Sequence, residues 1–217
     1  MLGVYDSGMG GKFAANYLSM LVNEEITLLT DYENAPFGTK SINELVPILD
    51  SASKKLFDAG VRKTLLACCT MCTVLPFASE ESKRNMFPIT RHVAKSAYEK
   101  TQNGKIAVIA TERTVASGEF RNLLLDICPT LSVSEIAAQY IVEIAESNMH
   151  PTKHQRQMLM RTAERICLTG ADCLILGCTH FSAVKDFFEE KLSGVAVVDS
   201  AFVGAKAFAE EINKTNK

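Results

Sequence analysis

Seven short apolar runs punctuate this chain, each closed by a small or polar turn, and they limit its fold more than any other feature. They are LGVY (2–5), EITLLTD (25–31), TLLACC (64–69), KIAVIAT (105–111), LSVSEI (131–136), CLILG (173–177) and VAVVDS (195–200). Longer amphipathic stretches lie between them. Leu45, Ile48, Leu49, Ala52, Leu56 and Phe57 recur at helical spacing between Asn43 and Gly60, which suits a C-cap. Another helix is expected from near Gly11, another after TLLACC to about Lys83, and another from Pro151 to about Leu168, with Gly170 just beyond. Strand followed by helix throughout predicts an α/β protein with mainly parallel sheets.

The pattern also repeats. Tyr5-Asp6 and Ala110-Thr111 each end an apolar run before a turn and helix, and Cys68 and Cys178 end two others. The chain therefore reads as two similar α/β lobes related by a pseudo-twofold axis. The C-terminal ends of their strands would face a shared crevice, where open α/β sheets bind ligands.

Composition excludes some functions. A formal net charge of −2 over 217 residues gives no general attraction to nucleic acid or anionic membranes. No apolar run approaches the roughly 20 residues of a membrane span, and MLGVYDSG has no basic region leading into a long apolar one, so no secretory leader is expected. Seven cysteines, an odd number set mostly in strand-like runs, predict reduced thiols in a cytoplasmic protein.

The turn DSGMGGK (6–12) fits neither phosphate-binding pattern. Asp6 stands where a P-loop needs its first Gly, and Phe13 stands where a P-loop needs Ser or Thr and a dinucleotide turn needs Gly or Ala. It presents Asp6, Ser7 and several backbone amides, or serves only as a strand-to-helix turn. In CCTMC (68–72), Cys69 and Cys72 have zinc-pair or redox-pair spacing, but no second Cys/His pair matches and neither reading explains Cys178. Cys72, Cys128, Cys167 and Cys173 are expected to be buried and structural. Cys68 and Cys178, at strand tips after small residues, are the candidates for chemistry. His180 lies two residues after Cys178, and Asp6 is expected near Cys68. Such neighbours let a thiol exchange protons near neutral pH. His92, His150 and His154 lack a comparable setting, and the basic residues of KHQRQMLMR read as a solvated helix face.

Together these motifs resemble the glutamate racemase branch of the aspartate/glutamate racemase superfamily. GVYDSGMGG (3–11) is similar to its opening motif, and APFGTKS (35–41) to its Pro-Tyr-Gly segment, with Phe37 in the Tyr place. LACCT resembles the first cysteine motif, IATERTVASGEF (109–120) the central Thr-rich motif, LILGCTHF the second cysteine motif and VVDS (197–200) the late strand. The resemblance implies a cofactor-independent exchange of the α-proton between two cysteines on opposite faces of an amino acid. Cys68 and Cys178 would be the pair, assisted by Asp6 and His180 respectively. Ser7, Pro36, Phe37, Gly38, Cys69, Thr70, Thr111, Thr114, Thr179 and Glu146 would contact substrate. Other implications are D-glutamate supply for peptidoglycan, a homodimer, and no metal, nucleic-acid or membrane partner. The first lobe would hold residues 1–94 and 195–217, and the second 95–194. The departures are Cys69 in place of the family Asn, Ser182 in place of a Pro, and ITRHVAK in place of a Gly-rich loop. They leave open a different substrate, such as aspartate, or a non-catalytic binding role. His180 favours the glutamate type.

Overall fold

The computed structural model describes residues 1–147 and 150–215. Eight parallel strands form two sheets: β1 (Leu2–Asp6), β2 (Ile26–Thr30), β3 (Thr64–Leu66) and β4 (Met86–Pro88), then β5 (Lys105–Ala110), β6 (Ser132–Ala137), β7 (Cys173–Gly177) and β8 (Ala196–Asp199). The first sheet runs β2-β1-β3-β4 and the second β6-β5-β7-β8. The order is the same in both: second, first, third, fourth. The expected duplication is therefore one of topology.

Among the described residues, eleven helices lie between and after the strands: α1 (Met9–Ser19), α2 (Ile42–Asp58), α3 (Cys69–Cys72), α4 (Glu80–Asn85), α5 (Thr90–Lys100), α6 (Glu112–Ser117), α7 (Glu119–Ile127), α8 (Tyr140–Glu146), α9 (Lys153–Thr169), α10 (Lys185–Lys191) and α11 (Ser200–Thr215). Local chemistry sets the ends of the longest. Ser41 and Glu44 form a reciprocal capping box on α2, and Thr152 and Gln155 form one on α9, which stops at Gly170 in the left-handed region (φ 67°). Lys153, His154, Arg156 and Arg161 of α9 are exposed, as expected of a solvated face.

Parallel sheets are covered on both faces, so their strands are apolar throughout. In the second sheet, Ile106, Val108, Cys173, Ile175 and Val198 face a core shared with the first lobe, including Val4 and Leu65. Their alternates Ala107, Ile109, Leu174, Leu176 and Val197 face a separate core under α8 and α9.

Two expectations are corrected, and one strand is added. The helix predicted through Lys83 is broken into α3, a 3-10 turn at Leu75–Phe77, and α4. Pro76 has no N–H to continue a helix, and Ser79 caps a new one by accepting from the Ser82 amide. Strand β4 was not foreseen, since three residues give no periodicity. The strand expected at 195–200 with the first lobe pairs instead with β7 of the second sheet, because Ala196–Asp199 continues the register of Cys173–Leu176. Only α11 crosses back to pack on α1.

Candidate active site

Strands β1, β3, β5 and β7 all end towards the same crevice. The tips of β3 and β7 carry the two thiols, Cys68 and Cys178, each 5 % exposed. Both open into one cavity of about 380 Å³. The first lobe lines it with Ser7, Tyr32, the Ala35–Thr39 loop (whose Ala35–Pro36 peptide is cis), Cys68 and Thr70. The second lobe supplies Thr111, Cys178, His180 and one face of α8: Gln139, Val142, Glu143 and Glu146. A roomier cleft of about 610 Å³ between β2 and α2 has no thiol in its lining.

The turn after β1 is built for close approach. A Cβ at Gly10 would overlap the Thr179 hydroxyl, and one at Gly8 the Glu146 carboxylate. The Gly8 amide donates to Asp6 Oδ1 (3.0 Å), and the Met9 amide donates to Glu146 Oε1 (2.8 Å). These turn amides thus serve carboxylates of the protein itself.

The surroundings of the two thiols differ. Cys178 Sγ lies 3.7 Å from His180 Nδ1, whose Nε2 lies 2.7 Å from Glu146 Oε1. Burial opposes charge on His180. Hydrogen bonds to Cys178 and Glu146, with the negative charges of Cys178 and Asp6, outweigh it and hold the imidazole well above its ordinary range. Both ring nitrogens then carry protons, and Nδ1 faces the Cys178 sulfur at 3.7 Å. Glu146 is held below the usual carboxylate range, chiefly by its bond to His180. On the other side, burial pushes the Cys68 thiol well up, and the charges of Asp6 and Cys178 add to it. Asp6 is fully buried; burial raises its pKa against the pull of His180, Thr179 and Gly8. The Thr179 hydroxyl donates to Asp6 Oδ2 at 2.8 Å.

A third cluster joins the lobes. The hydroxyl oxygens of Thr70, Thr111 and Thr114 lie 3.0 Å (Thr70–Thr111), 3.3 Å (Thr70–Thr114) and 2.9 Å (Thr111–Thr114) apart.

Of the expected site residues, Cys68, Cys178, His180, Ser7, Pro36, Phe37, Gly38, Thr70, Thr111 and Glu146 line the cavity. Asp6, Thr114 and Thr179 stand behind that wall and hold it. Cys69 is not in the lining; it opens α3, is 1 % exposed, and sits near Ser200 and Cys72. Ser182 donates to Asp199 (2.8 Å), tying the turn after Cys178 to the end of β8. The expectation of burial holds for Cys72 and Cys173, whereas Cys128 is half-buried and Cys167 exposed. Sequence reasoning missed Tyr32, Ala35, Thr39, Gln139, Val142 and Glu143. For the last three a signal existed: positions 139, 142, 143 and 146 share one helical face. Among the described residues, no group of three or more His, Cys, Asp or Glu side chains is placed to hold a metal ion, and no helix is long and apolar enough to cross a membrane.

Comparison with known proteins places relatives beside this geometry. A family profile, Asp/Glu/Hydantoin racemase, matches residues 23–208. Glutamate racemase 3 of Caldanaerobacter subterraneus subsp. tengcongensis is 30 % identical over 218 residues, covering 99 % of this chain and 79 % of the relative. The fold is similar to a Bacillus anthracis glutamate racemase (isoform RacE1; TM-score 0.85, 24 % identity, 99 % of this chain and 82 % of the other). It is also similar to a Francisella tularensis glutamate racemase in complex with D-glutamate (TM-score 0.85, 23 % identity, 99 % and 81 %).

Proposed function

This chain belongs to the Asp/Glu/Hydantoin racemase family, and from that premise we propose that it interconverts L- and D-glutamate by exchanging the α-proton between Cys68 and Cys178. One observation carries the reading: two buried thiols, at equivalent strand tips of two equivalent sheets, open into one cavity.

One thiolate takes the α-proton. The C–H bond breaks, its electron pair delocalises into the α-carboxylate, and an S–H bond forms. The opposite thiol then gives its proton to the other face of the carbon. The reverse reaction exchanges the roles. His180, positive and held by Glu146, faces the Cys178 sulfur where that residue acts as the base, while the elevated pKa of Cys68 keeps it protonated as the acid. Asp6 takes the corresponding place beside Cys68 for the reverse direction. The α-proton of an amino acid is a weak acid, so fixed donors must meet the negative charge that develops on the carboxylate. Ser7 and Thr70 supply hydroxyls there, Thr111 and Thr114 brace Thr70, and Thr179 holds Asp6 in place.

The same reading makes the protein a cytoplasmic homodimer that supplies D-glutamate for peptidoglycan and needs no cofactor. Polarimetry on L- and D-glutamate tests the activity: each enantiomer should decay to zero rotation, before and after dialysis against a chelator. Unchanging rotation from both enantiomers, or activity lost to the chelator, would contradict the proposal. Decay with aspartate alone would move the specificity.

A further inference from the structure

One group on the cavity face of α8 has no part in this chemistry. Gln139 stands at the N-cap of α8, where a short polar side chain usually bonds the free amides of the first turn, yet it makes no capping bond. Its carboxamide lines the thiol cavity. The oxygen Oε1 is buried and has no hydrogen-bond partner among the described residues. It lies where a Cβ on Gly38 would sit, beside Thr111. The residue as a whole is only half-buried, so the amide nitrogen is the end left to the cavity. Turning the amide over would bury two N–H donors in place of one acceptor, and orphaned buried N–H groups are the rarer case.

His180 apart, no other side chain lining the cavity among the described residues carries a nitrogen donor. The groups around the thiols are Asp6, Thr179, His180 and Glu146, whereas Gln139 neighbours Gly38 and Thr111. A substrate with its α-carbon between the sulfurs therefore turns its far end towards Gln139. That end is a carboxylate in glutamate, entering a wall that already holds Glu143. Building on the racemase reading, we propose that Gln139 is a specificity-determining residue whose Nε2–H donates to the side-chain carboxylate of the substrate.

The test compares two ligands and three proteins. Glutamate and 2-aminopentanoate share their α-carbon substituents, but the second has a methyl group in place of the distal carboxylate. Dissociation constants are measured by NMR titration for the wild type, Gln139→Met and Gln139→Glu. Gln139→Met should weaken glutamate about tenfold, the loss expected for one hydrogen bond to a charged group, and leave 2-aminopentanoate unchanged. Gln139→Glu, of nearly the same shape, should weaken glutamate further by repulsion. Equal losses for both ligands, unchanged glutamate affinity in Gln139→Met, or no glutamate binding by the wild type would overturn the proposal. Wild-type α-proton exchange, measured separately, judges the racemase reading, so the two failures are distinguishable.

Discussion

At the scale of single residues, the two thiols are alike in burial and unlike in company. Cys178 has a charged imidazole at 3.7 Å, and Cys68 has a buried carboxylate for a neighbour. Cys68→Ser and Cys178→Ser should each reduce racemisation by about 10²- to 10⁴-fold, the usual worth of a positioned acid or base. A variant with wild-type kcat/KM would remove that cysteine from the mechanism. The His180–Glu146 pair also fixes a pH dependence. The raised pKa of His180 contributes stability that is complete below its unfolded value and lost as pH rises through the folded one. The lowered pKa of Glu146 contributes stability that is complete above its unfolded value of 4.5 and lost as pH falls through the folded one. Both contributions are therefore complete between about pH 4.5 and about 6.5. Glu146→Gln should lower Tm most in that window, by about 2–4 °C for a loss of about 1 kcal/mol. A deficit that is the same at pH 5.5 and pH 9 would contradict the pairing. Cys68, Cys178 and His180 were legible in the sequence because strand ends and residue spacing are local. The helical face of Gln139 was legible too, but what singles Gln139 out on it was not, because that is a neighbour, Gly38, about a hundred residues away in the chain.

At the scale of elements, the turn from β1 into α1 does more than reverse the chain. Its glycines let Asp6 meet Thr179 and let the Met9 amide meet Glu146, so the first lobe is pinned to the second at the thiols. Gly10→Ala places a methyl group in the Thr179 hydroxyl and should cut kcat/KM at least about tenfold by displacing Asp6, about 1.4 kcal/mol of transition-state stabilisation. Unchanged kinetics would show that this approach carries no function. By contrast, the α9 cap lies away from the cavity. Thr152→Ala should cost about 1 kcal/mol, about 2–4 °C in Tm, and leave kcat/KM alone. A change in kcat/KM there would contradict the separation of cap and site. Long periodic elements such as α2 and α9 were readable from capping residues and apolar spacing. The segment after Cys68 was not, because Pro76 and Ser79 break it into pieces shorter than any period, and β4 rests entirely on pairing with β3.

At the scale of the molecule, two copies of one topology share a core. Side chains of the second sheet, such as Val108 and Ile175, pack in the same cluster as Val4 and Leu65 of the first. The duplication was visible as paired small-Cys-Thr tips. The lobe boundary was not, since β8 joins the second sheet while α11 returns to the first lobe. A shared core predicts that the lobes unfold together: heat should give one transition, with β1 and β7 amides losing hydrogen-exchange protection at the same free energy. Two resolved transitions would contradict it.

The claim that joins all three scales is that separate thiols serve the two faces of one carbon. It is tested most directly by incubating L-glutamate, and separately D-glutamate, with the protein in D2O and following the α-proton by NMR at early times. Two monoprotic thiols on opposite faces should place solvent deuterium in the newly formed enantiomer while the remaining substrate keeps its proton, in both directions. Deuterium entering the unreacted enantiomer as fast as product forms would point to one group serving both faces, and no exchange from either enantiomer would remove glutamate racemisation altogether.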